Sequence, residues 1–373
     1  MGQMRKQTRT ETTSDGNVIR ISRGKLTEIF IKVSQNEKEN PAEMFSRLSR
    51  IIKAEGAEIV KMDVFGHCSN YDKSVEFLKS AAGELSWPIT WVQGGGYGLA
   101  IEGVQVYAIK GGEIETIKLD GRIVGRTFQD DCARYCLLGD IRTRKPSAGR
   151  EEQTREIFES IEASLRLANM SISSVVRTWF YNDHISEWYG LFNEIRTGFF
   201  KERGVFNGVV PASTGIGGNN PAGAATTASV LAIQPLNKSV TIREVTSPLQ
   251  GSAIKYGSSF SRAVEVETPD LRRLFISGTA SIDQHGRTAH ITDIDRQIEL
   301  TMQVVDAILR SQKMNSNNVT RATAYVKKPE YSGKFVKYLQ NCRLAVENWV
   351  VSQNDICRDE LLVEVELDAI AQL

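Results

Sequence analysis

A chain of 373 residues, 41% apolar and 24% charged, is long enough for two or three domains with a sizeable core and no covalent staples. Its 46 Lys and Arg against 45 Asp and Glu leave a net charge of +1, which excludes a global field that would gather nucleic acid or anionic lipid. No apolar run approaches the roughly 20 residues that span a bilayer, the first residues are polar, and five scattered cysteines fit no disulfide framework; a cytoplasmic protein is expected.

In chain order, a β-rich run over 26–33 leads to a helical stripe at Phe45, Leu48 and Ile52 and then a strand over 59–65. A second β-rich run (133–141) leads to a stripe at Phe158, Ile161 and Leu165 and a strand over 175–181. A third (274–282) leads to Met302, Val305 and Leu309 and a strand over 319–325. The last two match without a gap at an offset of 144 residues, which carries Gln153 onto Gln297 and Tyr181 onto Tyr325; the first copy fits once about three residues are removed from its turn. Each copy is followed by a second helix and an apolar closing strand, ending at Ile109, Ile233 and Ile370. The inferred order is ββαβαβ three times, an α+β architecture of tandem units over 1–110, 111–240 and 241–373.

At Phe275-Ile276-Ser277-Gly278-Thr279-Ala280-Ser281-Ile282, Asp295-Arg296-Gln297 and Leu362-Val363-Glu364-Val365-Glu366, the chain resembles the Rid superfamily, also called YjgF or endoribonuclease L-PSP. Simple members are homotrimers with sites in clefts between subunits, so the resemblance implies a covalently linked pseudo-trimer that exists as a monomer or a homodimer. The segments Arg177-Thr178-Trp179, the spacing Tyr189, Phe192, Arg196, the loop 211–217, Phe260-Ser261-Arg262 and Cys357 through Glu364 narrow the match towards the chorismatases, which hydrolyse the enolpyruvyl ether of chorismate. The simple Rid deaminases of enamines and imines carry a Pro-Ala-Arg loop before the last strand, where this chain has Pro211-Ala212-Ser213.

Strand alternation over 361–367 puts Glu364 and Glu366 on one face, either solvated or poised in a cleft. Cleaving an enol ether needs a proton on carbon, and a carboxylic acid of raised pKa suits that step. Glu364, seven residues after Cys357 as in the chorismatases, is the expected acid. Arg196, with Phe192 and Tyr189 on the same helix face, offers a carboxylate clamp walled by aromatic rings. Arg177, read as lying on the side of Val175, is a second clamp; Arg262 and Arg358 are weaker candidates. Cys357 is open between substrate contact, nucleophile and small buried hydrophobe. The four histidines form no ligand pattern, so no metal is expected, and no cofactor is implied. The glycine runs 94–98 and 215–218 precede strands rather than helices, which fits turns of positive φ and not nucleotide cradles.

The expected activity is a chorismatase-like hydrolase acting on a small carboxylated substrate. The alternatives are an enamine or imine deaminase with a modified site, or a non-catalytic small-molecule-binding protein. Neither nucleic acid nor membrane is expected as a partner.

Overall fold

A computed structural model describes residues 7–373 except 14, 37 and 96–98. The first unit contains strands β1 (Gln7–Thr13), β2 (Gly16–Arg23) and β3 (Leu26–Val33), helix α1 (Pro41–Glu55), β4 (Glu58–Gly66), α2 (Tyr71–Ala82), β5 (Ile89–Gln93) and β6 (Ile101–Lys110). The second repeats this order with β7 (Glu115–Leu119), β8 (Arg122–Gln129), β9 (Ala133–Arg142), α3 (Arg150–Leu167), β10 (Val175–Asn182), α4 (Ile185–Glu202), β11 (Ala212–Gly217) and β12 (Thr226–Pro235). The third has β13 (Thr241–Val245), β14 (Ala263–Glu267), β15 (Leu271–Ala280), α5 (Ile294–Ser311), β16 (Val319–Val326), α6 (Pro329–Asn341), β17 (Trp349–Gln353) and β18 (Val363–Gln372).

The three six-stranded sheets share one topology, β1-β2-β3-β6-β4-β5 in the first unit and its counterparts in the others, with a single parallel pair at one edge. Three strands precede the first helix of each unit, one more than the sequence pattern indicates. The additional strands β1, β7 and β13 lie at sheet edges; β7 and β13 are short and largely exposed, so they lack the apolar alternation that marks a strand in sequence.

Each sheet turns one face to its two helices and the other to the middle of the molecule. Residues such as Phe45, Phe158 and Phe335 form the three helix-side cores. Phe65, Val92, Tyr135, Trp179, Phe275 and Tyr325 belong to one shared inner core. Neighbouring units meet in a closed ring, with β11 against β15, β17 against β6 and β5 against β9. The chain thus forms a pseudo-trimer. No helix among the described residues is long and apolar enough to cross a membrane.

The glutamines matched by the 144-residue offset do the same work in the two units. Gln153 accepts from the Ala225 N–H just before β12, and Gln297 accepts from the Leu362 N–H just before β18, each tying the first long helix to the closing strand. The shorter turn of the first unit is also physical: α1 passes to β4 through Gly56 and Ala57, and Gly56 adopts the left-handed φ of 61° that glycine tolerates without strain.

Candidate active site

The site begins with a β-bulge that occurs three times. The ladder between β10 and β12 shifts between Val175 and Arg177, so that Val175 pairs with Ala232 on the helix side and Arg177 pairs with Leu231 on the inner side. The same shift falls between Ile59 and Lys61 and between Val319 and Arg321. Simple alternation placed Arg177 with Val175; the bulge reverses it and turns a long cation inward from each unit. Lys61, Arg177 and Arg321 all approach the ring of Trp179, at 5.2, 4.7 and 4.9 Å from its centroid.

β18 alternates as the sequence indicates. Val363, Val365 and Leu367 enter the helix-side core, while Glu364 and Glu366 face inward, both buried. Glu366 accepts hydrogen bonds from Arg177 Nη2, from Thr214 Oγ1 at 2.6 Å, from Arg321 Nη2 at 2.8 Å and from Tyr325 Oη at 3.0 Å. Burial works to raise its pKa, but the two guanidinium groups and the Thr214 hydroxyl bring it down to about 2. Glu364 shows the opposite balance: burial, reinforced by the charge of Glu366, pushes it up to about 8 against the pull of Arg262, Arg177 and Arg358. One face of one strand therefore carries a fixed carboxylate and a carboxylic acid.

Pseudo-symmetry singles out one cleft. The position of Glu364, opposite Tyr325, is Gly103 opposite Phe65 in the first unit and Thr227 opposite Tyr181 in the second. The position of Glu366 is Gln105 and Ser229 in turn. Between the first and second units, Thr90 and Ser229 simply share a hydroxyl hydrogen bond of 2.9 Å. Between the third and first, Val350 fills the space beside Gly103. Among the described residues, only the interface between the second and third units carries the carboxylate pair.

The second unit supplies the wall of that cleft. Tyr189 stacks on Phe192 at 5.9 Å, and its hydroxyl lies over Gly215, where a Cβ would come within 2.7 Å. Gly215 and Gly217 are thus strand residues required by the close approach of Tyr189 and Asp355, and neither has the positive φ expected of them as turn residues. Of the other glycine run, residues 96–98 lie outside the described residues. Arg196 is buried between the rings of Phe192 and Phe260 and donates to Asn193 Oδ1 at 2.5 Å and Ser213 Oγ at 3.2 Å. A guanidinium from α4 therefore reaches the serine that stands in the Pro-Ala-Ser loop.

The third unit closes the cleft. Where two residues separate β7 from β8, β13 and β14 are separated by residues 246–262. The end of this insertion bridges β11 at Ala212 and Ser261, contacts α4 through a 2.7 Å hydrogen bond between the Thr197 and Ser259 hydroxyls, and brings in Phe260 and Arg262. Arg262 Nε donates to Gly251 O, and Arg358 Nη1 donates to Gly286 O. Cys357 is half-buried; burial and the Glu364 carboxyl push its thiol up to about 12, so it is held as a thiol rather than a nucleophilic thiolate.

Glu364 thus lies within electrostatic reach of Cys357 and Arg177, and Cys357 within that of Arg196, while Tyr189 packs against Phe192 and Gly215 with the helix-side core of the second unit. Sequence reasoning passed over Thr214, Arg321 and Tyr325 as the partners of Glu366. The signal for two of them was the repeat itself, which aligns Arg321 with Arg177 and Tyr325 with Tyr181. Among the described residues no cluster of His, Cys, Asp and Glu could hold a metal ion.

No protein-family model matches the chain. A chorismatase from Streptomyces hygroscopicus is 27% identical over 254 residues, covering 62% of this chain and 70% of that protein. A chorismatase crystal structure superposes with a TM-score of 0.67 at 19% identity over 93% of this chain and 100% of its own. A Rid-family protein from Yersinia pestis, 17% identical, covers 35% of this chain with a TM-score of 0.30. Three repeated sheets in a closed ring, and a superposition that runs through nearly the whole chain, give this protein the fold seen in the chorismatase crystal structure.

Proposed function

We propose that the chain is a chorismatase-like hydrolase that cleaves the enol ether of a small carboxylated substrate in the cleft between its second and third units. The opposed protonation of Glu364 and Glu366 carries this reading. At neutral pH the Glu364 carboxyl retains its proton, while Glu366 stays ionised in the grip of Arg177 and Arg321.

Glu364 delivers its proton to the terminal carbon of the enol double bond. The ether-bearing carbon becomes oxocarbenium-like, and water adds to it. The resulting hemiketal collapses to an alcohol and a keto acid, and the proton released restores Glu364. The buried charge of Glu366 stabilises the cationic centre electrostatically. Arg196 grips a substrate carboxylate, Tyr189 walls the pocket, and the Cys357 thiol touches substrate without attacking it. Arg177 has two assignments: Nη2 positions Glu366, and Nη1, buried without a hydrogen-bond partner among the described residues, is the donor left for a substrate carboxylate.

The test is incubation with chorismate while following pyruvate, alongside Glu364→Gln. General acid catalysis contributes about 10²- to 10⁴-fold, so the variant should lose turnover by that order while a ligand-induced rise in melting temperature survives. Chorismate that neither turns over nor shifts the melting temperature would exclude it as substrate. Undiminished turnover in the variant would remove Glu364 from the mechanism.

A further inference from the structure

The inner faces of the three sheets do not fill the middle of the molecule. A cavity of about 60 Å³ lies among Trp179, Leu231, Arg273, Phe275, Arg321 and Ile370, with Lys32 on its wall. One buried water needs about 10–15 Å³ of such space, so the cavity holds roughly four water-sized occupants.

Its polar groups are out of balance. Trp179 Nε1, Arg273 Nε and Arg321 Nη1 are buried donors without a hydrogen-bond partner among the described residues, against one such acceptor on the wall, Asp368 Oδ1. Buried polar groups in folded proteins are nearly always paired, with protein, water or ion. The charges lean the same way. Five cations, Lys32, Lys61, Arg177, Arg273 and Arg321, line or adjoin the cavity. Four carboxylates, Glu28, Asp63, Glu366 and Asp368, answer them. Arg273 is taken by Glu28 through bonds of 2.8 and 2.6 Å, Lys61 by Asp63, and Arg177 and Arg321 by Glu366 with Asp368 nearby. Lys32 is left with no hydrogen bond or ion pair among the described residues; the exposed Glu347 attracts it electrostatically without an ion pair.

We propose that this cavity on the pseudo-threefold axis is a binding site for one small monovalent anion, of the size of chloride or bromide, held by the Trp179 indole N–H and the guanidinium N–H groups of Arg273 and Arg321 that make no hydrogen bond among the described residues, and balanced by Lys32. The site shares Arg321 with the Glu366 carboxylate but needs no substrate. A space of roughly four waters is too small for an anion the size of gluconate.

Crystals of the full chain grown in sodium bromide test the site directly: an anomalous peak is expected in the cavity within reach of Trp179 Nε1. In solution, bromide should raise the melting temperature by about 2 °C over gluconate at equal ionic strength, because gluconate is too large to enter. Lys32→Gln should remove that gain. A cavity that scatters as water alone in the bromide crystals, or a bromide response of equal size in Lys32→Gln, overturns the proposal; the crystallographic arm stands even if the variant fails to fold.

Discussion

Gly278 leaves the space that the Glu364 carboxyl occupies: a Cβ on this residue of β15 would stand 2.0 Å from Glu364 Oε1 and 3.1 Å from its Cδ. The ladder between β15 and β18 is irregular here, with three steps on β15 from Ile276 to Thr279 against two on β18 from Leu367 to Val365, so the strand that makes room for the acid is the one that bulges. Gly278→Ala should therefore displace the carboxyl and leave the fold standing, since the nearest atom is the end of a side chain that can swing away. A misplacement of this scale costs about 10²-fold in turnover. Turnover measured beside an almost unchanged melting temperature would fit; unchanged turnover would mean that the Glu364 carboxyl has no fixed working position.

The two carboxyl groups of β18 predict opposite dependences on pH. Turnover should be flat below about 8, where Glu364 holds its proton, and fall about tenfold per unit above it. Stability follows from linkage. Between the ordinary carboxyl value of 4.5 and about 8, native Glu364 is protonated and unfolded Glu364 is not, so its contribution to stability declines as pH rises through that window. Glu366, depressed to about 2, contributes stability that is present above 4.5 and lost as pH falls towards 2. Urea denaturation at a series of pH values should show Glu364→Gln flattening the upper slope alone.

The repeat was legible because helix-side packing preserves its pattern. Phe158, Ile161 and Leu165 and their counterparts on α5 bury against equivalent strands, and Gln153 and Gln297 make equivalent bonds to the backbone. Glu364 was legible from alternation because β18 is regular where it matters. Arg177 was misread because a bulge changes the face of every residue beyond it, and the run Val175, Val176, Arg177 carries no glycine or proline to mark the irregularity. The pairing of Glu366 with Thr214 and Arg177 was not legible, since it joins strands of two units through their spatial ring and not through sequence spacing.

That ion pair makes a prediction of its own. Glu366 and Arg177 are both fully buried, and each comes from a different unit. Arg177→Met leaves the carboxylate to Arg321, Thr214 and Tyr325 and removes a charge that compensated its burial. Breaking a buried pair from one side costs about 3–5 kcal/mol, with the remaining partners placing this case near the lower end. The denaturant midpoint should fall accordingly, and adding Glu366→Gln to Arg177→Met should recover part of the loss. Additive losses in the double variant would show that the two residues stabilise the interface independently.

The ring of contacts sets the expected assembly. Each unit presents one edge to the next, β11 to β15, β17 to β6 and β5 to β9, and the third of these contacts returns to the starting unit. The surfaces that a separate three-subunit protein would satisfy with partner chains are satisfied here within one chain, and the inner faces carrying Trp179, Phe275 and Tyr325 are buried without a neighbour. A cyclic homotrimer of chains would need a wholly different surface. Light scattering in solution should accordingly report a monomer or a twofold dimer at all working concentrations. A stable homotrimer would mean that some edge of the ring opens to pair between chains, and the cleft holding Glu364 would then have to be sought across that new boundary.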